Sequence, residues 1–114
     1  ATLPIYRSGE MRYFAAGVGR LERTTTYPKF PVKLIFSGSD GALSFVSVTI
    51  WAQDETDETQ VCQIPSSHVK GPWVFLDIQE GTYRIAAVKG TEVKSRANVE
   101  VTIGKQQTIF FAWP

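Results

Sequence analysis

Gly71-Pro72-Trp73-Val74-Phe75-Leu76-Asp77-Ile78-Gln79-Glu80-Gly81-Thr82-Tyr83-Arg84-Ile85-Ala86-Ala87-Val88 is the stretch on which the fold turns. Two apolar runs flank a tight turn. Gly71-Pro72 opens the first run, and Gly81 closes the turn. Tyr83, Ile85 and Ala87 then share one face at the two-residue spacing of a strand. The pattern predicts the central hairpin of a small antiparallel β-sandwich.

The segments around it read the same way. Upstream, Val32-Lys33-Leu34-Ile35-Phe36 is a strand with Val32, Leu34 and Phe36 inward. Ser37 to Gly41 holds the residues that turns need. Leu43 to Gln53 is expected as the longest strand, with a bulge where Phe45 and Val46 break the alternation. Beyond the break, Val48, Ile50 and Ala52 share one face, and Ser47, Thr49, Trp51 and Gln53 the other. Asp54 to Thr59 is an acidic loop, Gln60 to Ile64 a short strand, and Pro65 to Lys70 a second loop. Downstream, Lys89 to Glu92 turns the chain. Ala97, Val99, Val101 and Ile103 mark one face of a further strand. Gln106 to Trp113 is apolar on both faces, which predicts a central strand or a covered edge.

The N-terminal part is less regular. Residues 1–10 mix Pro, Gly and polar residues and are expected as an arm or short edge strand. Residues 11–114 form one β-sandwich domain. Met11 to Val18 is strand-like, with Met11, Phe14 and Val18 its expected buried residues, and Gly17 and Gly19 mark a bend. Arg20 to Pro31 reads as a loop with at most one helical turn. Three threonines disfavour a helix, and Pro28 and Pro31 stop it. Seven or eight short strands with regular turn signals point to an all-β sandwich or a small barrel.

A chain of 114 residues fits one domain. It buries roughly 65% of its unfolded surface, enough for a core without metal or disulfide staples. Net charge is +1 and the basic residues are scattered, so the footprint of nucleic-acid binding is missing. No apolar run approaches the roughly 18 residues of a membrane span. Cys62 is the only cysteine, which rules out an intramolecular disulfide and a multi-cysteine zinc site. The sequence begins at Ala1, as a chain cleaved beside small residues would; an arbitrary boundary would begin the same way.

The motif Gly81-x-Tyr83-x-Ile85-x-Ala87, followed by Lys94-x-Arg96-x-x-Val99-x-Val101 and a terminal strand, resembles the carboxypeptidase-regulatory-like, or transthyretin-like, domain. More closely, the chain resembles a group of small exported proteobacterial proteins that carry such a domain. Gly17-Val18-Gly19, Val32 to Phe36, Val48-Thr49-Ile50, Gly71-Pro72-Trp73, Gly81-Thr82-Tyr83 and Phe111-Ala112-Trp113 carry the likeness. It spans about residues 14–113. The Thr- and Pro-rich Arg20 to Pro31 departs from it, because that group places an acidic helix there. The resemblance implies a seven-stranded sandwich, a periplasmic or secreted location, and no catalytic residues.

The residues themselves offer little chemistry. His68, the sole histidine, has only sequence neighbours Ser66 and Ser67 for a nucleophile and is expected as a solvated loop residue. Cys62 lies in an apolar strand and reads as a small buried hydrophobe rather than a reactive thiol. Asp54, Glu55, Asp57 and Glu58 lack the spacing of a calcium loop and read as a solvated tip. Trp73 and Trp113 are expected in the core. Trp51, with Tyr13 and Tyr27, is the candidate surface for a partner or a sugar. The sequence implies no cofactor and no metal. The expectation is a non-enzymatic exported module that binds a protein or itself, with open edge strands as a further surface. The alternative is a carbohydrate-binding module using exposed aromatics.

Overall fold

The computed structural model describes residues 3–114. Its strands are β1 (Tyr6–Ser8), β2 (Met11–Ala16), β3 (Val32–Gly38), β4 (Gly41–Ala42), β5 (Ser47–Gln53), β6 (Glu58–Ile64), β7 (Trp73–Asp77), β8 (Gly81–Lys89), β9 (Glu92–Val101) and β10 (Gln107–Ala112). One sheet runs β1-β2-β7-β3-β10, with β4 also paired to β3. The other runs β6-β5-β8-β9. All pairs are antiparallel except β3 with β10, which is parallel.

The two sheets face each other across one core. Val32, Leu34, Phe36, Val74, Leu76, Ile109 and Phe111 point in from the first sheet. Val48, Ile50, Ile64, Ile85, Ala87, Val99 and Val101 meet them from the second. Each of these side chains larger than Ala87, moved out of water, stabilises the fold by roughly 1.5–3 kcal/mol. The all-β sandwich expected from the alternation is what the chain forms. Trp113 is buried in this core as expected.

The expected central hairpin is not a hairpin. β7 lies in the first sheet between β2 and β3, and β8 lies in the second between β5 and β9. The Ile78–Glu80 corner therefore carries the chain across the sandwich. The Tyr83 hydroxyl donates to the Gln79 carbonyl oxygen at 2.9 Å and fastens that corner, an arrangement known in sandwiches as a tyrosine corner.

Other expectations also change. The strand expected from Leu43 begins at Ser47. Phe45 adopts a left-handed backbone (φ 60°), and its N–H donates to the Val69 carbonyl at 2.6 Å. The bulge of β5 falls instead between Ile50 and Trp51, opposite β6. In β9, Asn98 is left-handed (φ 57°) where the register against β8 shifts. Asn tolerates that conformation. The shift turns Ala97 to solvent, and Ile103 is exposed beyond the strand. Val18 is also exposed rather than buried.

A six-residue helix, α1 (Gly19–Thr24), forms at the start of the segment expected as a loop with at most one helical turn. It ends where the Thr24 hydroxyl donates to the Arg20 carbonyl and the Thr25 hydroxyl to the Leu21 carbonyl. Such back-bonding competes with further helix. From there to Pro31 the chain is strapped over the outer face of the first sheet. Tyr27 and Phe30 pack there on Phe14 and Phe75.

β10 is an edge strand, not a central one. β9 edges the other sheet beside it, and side chains bridge the two. Gln107 Nε2 donates to the Glu100 carbonyl, Trp113 Nε1 to the Glu92 carbonyl, and Arg96 Nη2 to the Phe110 carbonyl. On the opposite side the Gln63 N–H donates to Ser8 Oγ, which ties β6 to β1.

Candidate partner-binding face

The outer face of the first sheet is built by cross-strand rows. Backbone pairing aligns Ala16 with Trp73, Trp73 with Ile35, and Ile35 with Phe110. The row beside it aligns Phe14, Phe75, Lys33 and Thr108. Residues two apart along each strand fall on the same face, so all eight side chains look away from the main core. The outer face of this sheet is therefore apolar as well, which is why β7 and β10 read as continuous apolar runs.

The strap covers half of this face. Phe14 and Phe75 stack at 4.7 Å between centroids, and Phe30 meets Phe14 edge-on at 5.4 Å. Such pairs are worth about 0.5–1.5 kcal/mol beyond their buried area. Lys33 Nζ sits 3.8 Å above the Trp73 ring centroid. Burial lowers the Lys33 pKa from its ordinary value. Trp73 is thus half-buried under a lysine stem and belongs to this second cluster rather than the main core. At the covered end, Arg12 and Asp77 form an ion pair, with Nε to Oδ2 at 3.0 Å.

The other half is open. Ile35 is half-buried, and Thr108, Phe110 and Ala112 are exposed, Phe110 by 63%. A second apolar feature lies at the far side of the strap. Leu3, Ile5, Phe14, Leu21, Tyr27 and Pro28 line a groove of about 300 Å³. Sequence alternation marked Ile109, Phe111 and Trp113 against Phe110 and Ala112. It could not say which set would be left uncovered.

The three aromatics expected to bind lie in three different places. Tyr13 is not a surface platform: it is 3% exposed and belongs to the main core. Its hydroxyl is hydrogen-bonded to His68 Nδ1 at 2.7 Å. Burial, with smaller effects from Cys62 and Tyr6, raises the Tyr13 pKa. Tyr27 is half-buried within the strap, and its hydroxyl donates to the Glu22 carbonyl at 2.7 Å. Trp51 is half-buried on the outer face of the second sheet. The Arg84 guanidinium stacks 3.8 Å from its ring centroid and is held by Glu58 at 2.9 Å. One face of Trp51 is therefore capped by its cross-strand neighbour.

His68 is not a free loop residue either. It sits on a short 3₁₀ turn (Ser66–His68), stacked on Tyr6 at 3.8 Å and nearly parallel to it. Cys62 is buried, and burial pushes its thiol pKa up. In the acidic loop, Asp54 and Asp57 accept the N–H groups of Glu55 and Glu58 and so shape the turn. Among the described residues, no group of three or more His, Cys, Asp or Glu is placed to hold a metal ion, and no helix is long and apolar enough to cross a membrane.

Searches against protein-family models, curated proteins and solved structures found no match to this chain.

Proposed function

We propose that this chain is a non-enzymatic binding module that takes up an extended strand, from a partner protein or a second copy, along β10. The observation that carries the reading is the apolar row Trp73, Ile35, Phe110, which runs from the lysine-capped Trp73 through half-buried Ile35 to the exposed Phe110 at a sheet edge. Strand addition uses backbone hydrogen bonds for affinity and alternate side chains for specificity. β10 offers both on one side. The motif resemblance supports placing the sandwich in the transthyretin-like, carboxypeptidase-regulatory-like class. It likewise supports a periplasmic or secreted setting, where such modules act in the cell envelope.

Photo-cross-linking tests the reading. Benzoylphenylalanine replaces Phe110 in one variant and the exposed Val93 of β9 in another. Both are irradiated in a proteobacterial envelope fraction. A discrete adduct, to another protein or to the chain itself, is expected from position 110 only. Equal labelling from both positions, or none, would remove the basis for the proposal.

A further inference from the structure

The free side of β10 can be read from its ladder. The Gln107 N–H donates to the Pro31 carbonyl and the Trp113 N–H to the Ser37 carbonyl, each at 2.9 Å. In a parallel ladder every second residue bonds to the neighbour. Gln107, Ile109, Phe111 and Trp113 therefore bond to β3. Thr108, Phe110 and Ala112 turn their N–H and C=O groups outward. Among the described residues, only the bond from Arg96 to the Phe110 carbonyl reaches that side.

Edge strands are normally blunted by lysine, proline or a bulge. Gln106 to Trp113 contains no charge and no proline. It is also rich in the residues that pair strands. The outward set has a further property: it is symmetric about Phe110, with small residues on both sides. We infer that β10 pairs antiparallel with β10 of a second copy about a two-fold axis at Phe110. The inference rests on the strand-uptake reading above and selects a second copy as occupant.

In this register Phe110 faces Phe110 of the copy as a hydrogen-bonded pair, and Thr108 faces Ala112 in both directions. Such pairs bring Cα atoms to about 5.5 Å. The two phenyl rings then lie side by side and are flanked by Ile35 on each side. The apolar row of one sheet continues into the other without a break. A charged group, Arg96, lies on the path. Its guanidinium holds the carbonyl that the copy's Phe110 N–H would take, and two Arg96 side chains approach near the axis. Pairing should therefore strengthen with salt, which screens that repulsion, whereas a partner held by opposite charge would weaken.

Sedimentation velocity over a concentration series tests this on the full chain. The wild type should move reversibly from monomer towards twice its mass. Phe110→Lys, which sets like charges directly opposite each other across the axis, should weaken association roughly tenfold or more. Thr108→Lys, opposite Ala112, should independently weaken it by putting a lysine on the pairing edge next to Lys33. Arg96→Ala should tighten it by roughly fivefold, the scale of one competing hydrogen bond. Under oxidation Phe110→Cys should form a disulfide dimer, since the expected spacing fits a disulfide. Wild type, whose only thiol is buried, and Val93→Cys should not. A monomer at every concentration overturns the self-pairing; an adduct to another protein from position 110 would still leave the strand-uptake reading intact. A dimer indifferent to both lysine variants also overturns it, because the contact must then lie elsewhere.

Discussion

The Tyr83 hydroxyl holds the Gln79 carbonyl at 2.9 Å, where the chain leaves one sheet for the other. Tyr83→Phe keeps the ring in the core and removes only this bond. A typical intramolecular hydrogen bond contributes about 1 kcal/mol. The variant should therefore melt about 4 °C lower, on the scale for a domain of this size. An unchanged melting temperature would show that the corner is held by its packing alone.

Tyr13 and His68 form a second such contact, and Tyr6 stacks on the imidazole. His68→Ala removes the partner of a buried hydroxyl and the ring that covers it. A loss of about 1–3 kcal/mol follows from leaving a buried polar group unpaired. Urea denaturation should show a lower midpoint with an unchanged slope. A solvated loop histidine would leave the midpoint where it is.

Glu58 is held below the ordinary glutamate range, chiefly by the hydrogen bond from Arg84. A lowered folded value means the contribution is present above the unfolded pKa and is lost as pH falls through the folded value. Below about pH 4.3, the ordinary glutamate value, Arg84 should begin to leave Trp51. Tryptophan emission should shift in this range while far-ultraviolet dichroism is still native. The shift should vanish in Glu58→Gln and in Trp51→Phe. Its persistence in Glu58→Gln would assign it to another acid.

Gly71 and Gly104 separate two reasons for glycine. A Cβ at Gly71 would run into the backbone carbonyl of Ala16, which cannot move aside without shifting β2. Gly104 has open space but a left-handed backbone (φ 86°). Gly104→Ala should cost about 1–2 kcal/mol, the scale of left-handed strain. Gly71→Ala should cost more, about 3 kcal/mol, the size of an overpacking penalty. Equal costs, read by chemical denaturation, would mean β2 yields easily.

Much of the sandwich is legible in local alternation. Val32, Leu34 and Phe36, or Ile109 and Phe111, need only a two-residue period to be placed inward. What alternation cannot encode is the pairing partner. A turn between two apolar runs looks alike whether the strands pair or part, so β7 and β8 read as a hairpin. The register break at Asn98 also escapes the pattern, because nothing in the alternation says where a bulge begins. At the candidate face, the apolar outer residues of β7 and β10 are visible in sequence. Which of them the strap covers depends on Tyr27 and Phe30 crossing the sheet. His68 was hidden for a similar reason: its partners Tyr6 and Tyr13 lie far upstream and meet it only once β1 pairs with β2.

The parallel ladder between β3 and β10 has a consequence for how the chain is made. Val32 pairs with Gln107. On the ribosome, then, β3 emerges long before its neighbour exists, and contacts of such separation form slowly. Until β10 arrives, the nascent sandwich carries the bare flank of Val32 to Phe36, an uncharged strand but for Lys33. That interval is when a chaperone would have most to shield.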